Sequence, residues 1–246
     1  MALVQTFEKQ GNFLFKYRGQ FPLILFFIAI PFIFLTDYSD ITDANEKIYI
    51  IISVLLSSLG FLIRFYTIGT TPKGTSGRNT KEQVAEVLNS TGIYAIVRHP
   101  LYLGNYLIWI GIATFVFNPF FFLLVSLLFC IYYERIMFAE ERFLEKKFRE
   151  EYLNWSNKIP AFIPDFSLYK KSLIPFSIKT VLRREYSGIL ACVIGFCFVD
   201  VLRNYKIGEE LFSKNMIYIL GATLIISVLL RTIKRNTQIL NEKNRS

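Results

Sequence analysis

The sequence predicts an all-α, integral-membrane helical bundle of about six transmembrane helices. Three observations lead there. The chain is 53% apolar, with 25 Phe and 14 Tyr, and only 19% charged; a water-soluble domain of this length does not carry such a balance in long unbroken blocks. Six apolar segments reach or approach the roughly 20 residues that a bilayer crossing requires. The basic residues gather on one side of those segments. The same composition excludes disorder, collagen and coiled coil. One His and three Cys do not suit a soluble zinc protein, and no metal is expected. Cys130, Cys192 and Cys197 lie inside apolar runs and read as packing residues, not as a disulfide framework.

The first segment, 21–37, is interrupted by Pro31 and is followed by no small-residue cleavage site, so it reads as a span and not as a cleaved signal peptide. The second covers 48–66. The third and fourth, 101–117 and 119–133, form a tight hairpin whose turn is Asn118-Pro119. The fifth covers 187–202 and the sixth 216–230. Between the second and third spans the chain is Gly/Thr/Lys-rich and then helix-like over KEQVAEVLNSTG, 81–92. After the fourth span, Ile136, Phe143, Leu144, Phe148, Tyr152 and Trp155 recur at helical spacing over 134–156. That pattern predicts a cytoplasmic amphipathic helix leaving the span and lying at the surface. The stretch 157–180, with Pro160, Pro164 and Pro175, reads as an irregular loop. Residues 1–186 are expected to form a core unit, and 187–246 two additional C-terminal helices with a cytoplasmic tail. No internal repeat is visible.

The net charge is +9. With the N-terminus inside, 24 of the 28 Lys and Arg fall on 1–20, 64–98, 135–186 and 231–246, and only 4 on 38–47 and 203–214. Cytoplasmic loops carry such an excess. Both termini are therefore expected in the cytoplasm, in the inner (plasma) membrane if the cell is bacterial. The charge itself reads as topology plus attraction to anionic phospholipid at the cytoplasmic face, not as a nucleic-acid surface. Asp200, near the outer end of the fifth span, reads as interfacial, and Asn105, one turn into the third, is a mild functional flag.

Two polar constellations stand at the cytoplasmic ends of the hairpin. The single His, His99, precedes Pro100, which disfavours a helical His99 and suits the first position of a helix. Arg98 and His99 would then sit at the start of the third span, where a helix N-terminus favours a carboxylate or phosphate. A membrane-edge Arg with a loop His accounts for the pattern equally well. The second constellation is Glu134, Arg135, Glu140, Glu141 and Arg142. Charges at a span end commonly anchor it, and paired carboxylates beside Arg can also tune a reacting group. On one straight helix Arg135 and Glu140 point about 140° apart, so a single site for both requires a break. There is no phosphate loop, nucleotide fingerprint or metal-ligand cluster in the sequence.

Taken together these pieces resemble the isoprenylcysteine carboxyl methyltransferase and phospholipid methyltransferase superfamily of membrane enzymes. The resemblance rests on Gly92-x-Tyr94-x-x-Val97-Arg98-His99-Pro100-x-Tyr102-x-Gly104, then Arg135-x4-Glu140-Glu141-x2-Leu144-x3-Phe148-x3-Tyr152, then Pro160-x-Phe162-Ile163-Pro164. It covers 92–164 closely and leaves out the last two spans. At Arg149 the family often has Gly. What the resemblance implies is S-adenosylmethionine-dependent methyl transfer to a membrane lipid or lipidated acceptor. It places Arg98, His99, Tyr102, Gly104, Glu140, Pro160 and Pro164 at the cofactor, the last two in a lid, and Arg135 and Glu141 on the acceptor side as catalytic residues. The wealth of cytoplasmic Arg and Lys favours O-methylation of a carboxylate or lipid phosphate. N-methylation of an amine head group stays open, as do a non-catalytic membrane protein, a small transporter and a membrane reductase of the sterol type.

Overall fold

The structure, a computed structural model, describes residues 2–74, 83–242 and 245. Among them there is no strand, and an isolated antiparallel bridge joins Gly92 and Lys170. The α-helices are α1 (Leu3–Lys16), α2 (Ile24–Leu35), α3 (Asp43–Gly69), α4 (Pro100–Thr114), α5 (Pro119–Phe148), α6 (Glu150–Ser156), α7 (Ile178–Ile207) and α8 (Lys214–Asn236).

Four of these, α3, α5, α7 and α8, are long and apolar enough to cross a membrane. The pair Leu3–Lys16 and Phe21–Leu35, bent by 76°, would make a fifth crossing if counted as one broken span. The expectation of six spans departs from this at α2 and α4. They have 12 and 15 residues, about 18 and 22 Å at 1.5 Å per residue, against a hydrocarbon core of about 30 Å. The hairpin between α4 and α5 forms where the sequence puts it. Asn118 caps α5 by accepting from the Phe121 amide at 3.0 Å, and Pro119 opens the helix. Its Nδ2 also donates to the Thr36 hydroxyl at 2.8 Å, tying the turn to the end of α2.

The largest apolar cluster fills the space between α2, α4, α5 and α7, around Ile33, Ile112, Val116, Val125 and Val199. The hairpin is backed by α3, which crosses α4 at backbone contact. A Cβ on Gly60 would stand 2.5 Å from the Gly104 carbonyl oxygen, and one on Gly104 2.8 Å from that of Gly60. Only paired glycines permit this approach.

Two local expectations are corrected. No separate amphipathic helix leaves the fourth span over 134–156: α5 runs unbroken to Phe148, and the chain breaks only at Arg149 before α6. The helix-like reading of 81–92 fails over 83–92, which is irregular and ends at Gly92 with φ 64°; residues 81 and 82 lie outside the described residues. Asn89, Ser90, Thr91 and Gly92 favour turns and override the preceding helix formers. Asp200, near the end of α7, is buried within the protein, 5% exposed. It accepts from the Ser213 hydroxyl at 3.1 Å and lies 3.6 Å from Arg203. The stretch before α7 is irregular as expected, apart from a short turn at Phe166–Leu168.

The break at Arg149 carries a cost. Its φ of 49° and ψ of −120° belong to a region that glycine occupies freely and other residues do not. Arg149→Gly is therefore expected to stabilise the protein by about 1 kcal/mol. The check is the unfolding midpoint in detergent, and a lower midpoint for the variant contradicts the strain.

Candidate functional site

The site is built where the start of α4 meets the C-terminal half of α5. Gly92 turns the incoming chain, and its amide donates to the Lys170 carbonyl at 2.8 Å. From there residues 96–99 run beside 160–165. The Arg98 amide donates to Pro160 O at 2.9 Å, the His99 amide to Ala161 O at 3.2 Å, and the Asp165 amide to Ile96 O at 2.9 Å. From α6, the Trp155 indole donates to Tyr94 O at 3.1 Å. The backbone of 160–165 and the Trp155 side chain thus clamp the backbone of the first sequence motif. His99 is non-helical, φ −121° and ψ 60°, and Pro100 opens α4, as the dipeptide favours.

This clamp aims Arg98 and His99 at two carboxylates on α5. His99 Nε2 donates to Glu141 Oε1 at 2.8 Å, and an Arg98 terminal nitrogen to Glu141 Oε2 at 3.2 Å. The other ring nitrogen, Nδ1, lies 3.8 Å from Glu140 Oε2. The imidazole, 7% exposed, is bracketed by both glutamates and stacks at 5.7 Å on Tyr102. The phenols of Tyr94 and Tyr152 border the same space. Burial, and then the negative charge of Glu140 beside Tyr94 and of Glu141 beside Tyr152, push their ionisation up, so both stay neutral hydrogen-bonding groups.

These residues line a cavity of about 350 Å³, within the size range of small-molecule sites. Arg98, His99, Tyr102, Glu140 and Glu141 all face it. Four other residues expected at the site do not. Gly104 lies at the crossing with α3, beneath the Arg64 stem. Pro160 and Pro164 border a separate open hollow, and their segment braces the Arg98–His99 backbone from behind. Arg135 faces elsewhere because α5 is unbroken between it and Glu140. Its guanidinium sits 3.4 Å above the Phe7 ring of α1 and 3.6 Å from Glu134. Glu141 therefore stands with Arg98 and His99, not with Arg135.

Arg135 instead borders a second cavity, of about 760 Å³, between α1, α2 and α5. Its walls are mainly apolar, among them Phe13, Leu25, Ile28 and Trp109, and Lys9 shares its polar margin with Arg135. Tyr133 belongs to the wall of both cavities.

Sequence reasoning missed a third group. Arg64 of α3 forms a two-pronged ion pair with Glu185 of α7, Nε to Oε2 and the second terminal nitrogen to Oε1, each at 2.7 Å. The side chains are 19% and 4% exposed. The remaining arm of Arg64 donates to Asn105 Oδ1, and Asn105 Nδ2 donates to the Tyr133 hydroxyl at 3.0 Å. The signals present were the lone Arg in a long apolar helix and the intramembrane Asn105; nothing in the sequence links either to Glu185.

The arrangement fits a small zwitterionic ligand. Carboxylates and guanidinium groups face one cavity, including Arg18 and Arg184. Arg98 Nε is buried there without a hydrogen-bond partner among the described residues, a donor suited to an anionic group.

Comparison with known proteins agrees with the motif reading. Residues 48–151 match the phospholipid methyltransferase family. The protein-S-isoprenylcysteine O-methyltransferase of Saccharomyces cerevisiae is 35% identical over 86 residues, 35% of this chain and 36% of that one. That of Schizosaccharomyces pombe is 30% identical over 114 residues, 44% and 48% of the two chains. The cobalt-zinc-cadmium resistance protein CzcN of Cupriavidus metallidurans is 31% identical over 122 residues, 48% and 54%. The matches thus span between about a third and about half of those relatives' length. No solved structure matches. The resemblance to the isoprenylcysteine and phospholipid methyltransferases is borne out.

Proposed function

We propose, with the similarity of residues 48–151 to the phospholipid methyltransferase family as the premise, that this membrane protein transfers a methyl group from S-adenosylmethionine to a lipid or lipidated acceptor. One observation supports this above the others: a polar cavity with charges of both signs and an apolar cavity with a cationic margin share the wall residue Tyr133. A polar cofactor and an apolar acceptor would need such adjacent but chemically distinct sites.

Bound S-adenosylmethionine supplies a sulfonium methyl already activated for transfer. The protein's tasks are to bind, align and exclude water. Arg98 and the His99 ring, held by Glu141, would receive the cofactor's carboxylate end. Glu140 would face its cationic part, and Tyr102 would close the wall beside it. Pro160 to Pro164 act indirectly, by fixing the Arg98–His99 backbone. Arg135 and Lys9 would attract an anionic head group while the apolar cavity takes its chain, Arg135 through its planar fork. This supports O-methylation of a carboxylate or lipid phosphate.

The test is reconstitution in vesicles with S-adenosylmethionine tritiated at the methyl. N-acetyl-S-farnesylcysteine, phosphatidic acid and phosphatidylethanolamine are supplied in turn, and label is counted in the organic extract. Label in one of the first two supports the reading. Label only in phosphatidylethanolamine shifts the acceptor to an amine, and no labelled lipid overturns the reading.

We further place six crossings with both termini in the cytoplasm, on the 24-to-4 division of basic residues. In that arrangement α1 lies along the inner surface before the 76° bend. Reporter fusions after Ser246 and within 165–175 are both expected to read cytoplasmic. An external signal from either breaks the arrangement.

A further inference from the structure

Helix α7 lies outside the matched family region, yet it reaches the centre of the molecule through Glu185. Donor and acceptor chemistry fixes the polarity of the chain of contacts that starts there. An ionised carboxylate only accepts, and a guanidinium only donates. Glu185 therefore holds two arms of Arg64, and the third arm must meet the oxygen of Asn105 and not its nitrogen. The amide flip of Asn105 is thereby determined, and its NH₂ faces Tyr133. The Tyr133 oxygen accepts, so its own proton must point away from Asn105. The Tyr133 ring is locked meanwhile, stacked on Phe129 at 4.1 Å and packed at 4.6 Å from Tyr102. It is the wall between the two cavities.

We propose that Tyr133 is a substrate-orienting residue: its hydroxyl donates to the anionic oxygen of the acceptor where the two cavities adjoin, and Glu185, Arg64 and Asn105 position it. The inference rests on the reading of the preceding section. It gives α7 a role in the site, since Glu185 sets the direction of the Tyr133 proton without touching a substrate itself. It also gives Gly104 one, because a side chain there would displace the Arg64 stem, 2.6 Å from the Cβ position.

The decisive variant is Asn105→Asp. It keeps the shape and the contact with Arg64 but presents an acceptor to Tyr133, whose proton then turns inward. With N-acetyl-S-farnesylcysteine as acceptor, its KM is expected to rise about tenfold or more, the loss of one hydrogen bond to a charged group. The Kd for S-adenosylmethionine, measured separately by titration, is expected to change less than the acceptor KM, although Asn105 and Tyr133 border the cofactor cavity as well. Tyr133→Phe should give the same split. Combined with Asn105→Asp it should cost no more than the worse single change, as two changes to one interaction do. Glu185→Gln should move KM in the same direction. An unchanged acceptor KM in Tyr133→Phe, or additive losses in the double variant, overturns the inference while leaving methyl transfer intact. Where only phosphatidic acid is labelled, the same KM split is read with it, and label in phosphatidylethanolamine alone overturns this inference only. A wild-type protein that binds no S-adenosylmethionine, or labels no lipid, overturns the underlying reading and this inference with it.

Discussion

His99→Ala leaves a folded, membrane-inserted protein whose affinity for S-adenosylmethionine is ten- to a hundredfold lower. The fold does not rest on this ring: the His99 backbone is held through its amide to Ala161 and by Pro100 at the start of α4. The ring instead organises charge. It occupies Glu141 from Nε2 and stands 3.8 Å from Glu140. Without it, Glu141 keeps Arg98 at 3.2 Å, and the carboxylates lose the group that spaces them. A hydrogen bond to a charged group corresponds to about 1.5–3 kcal/mol, which gives the stated range. Titration of the detergent-solubilised variant checks it. Wild-type affinity in a folded variant means that the ring does not serve the cofactor.

Arg64→Ala has the largest expected effect on stability. Glu185 is 4% exposed on its side chain and would keep a buried charge with its two-pronged partner gone. Removing one member of such a pair costs about 3–5 kcal/mol, because the charge left behind is neither hydrated nor paired. Arg64→Met combined with Glu185→Met removes both charges and should recover most of that loss. Thermal midpoints read by detergent size exclusion separate the two cases. A double variant as unstable as Arg64→Ala would show that the cost lies in packing around the Arg64 stem, not in the unpaired charge.

The parts of the fold that were legible had strong local causes. Asn118-Pro119 fixes the hairpin turn, and Pro100 fixes both the non-helical His99 and the start of α4. The meeting of the two polar constellations followed from motif order, since the turn brings the far ends of α4 and α5 together, but Glu141 was expected beside Arg135 and stands with Arg98 and His99 instead. The parts that were not legible had distant causes. Helix α1 is hard to read in the sequence because its apolar residues, such as Leu3, Phe7 and Phe15, are interspersed with polar ones and form no span-length block. Its partner surface on α5 is over a hundred residues away. The direction of Arg135 was legible as an angle, about 140° from Glu140. What was missing was that α5 stays whole, which sends the two residues to different cavities. Glu185 is separated from Arg64 by 121 residues and sits in a run of charges that reads as a span boundary.

The central claim is that the cavity bordered by Arg98, His99, Glu140 and Glu141 binds S-adenosylmethionine. It is tested most directly by equilibrium binding of the tritiated compound to the purified protein in detergent, compared with His99→Ala. The account predicts saturable binding at one site per chain, with the affinity reduced at least tenfold in the variant. Absence of saturable binding to a protein that elutes as a folded species would contradict it.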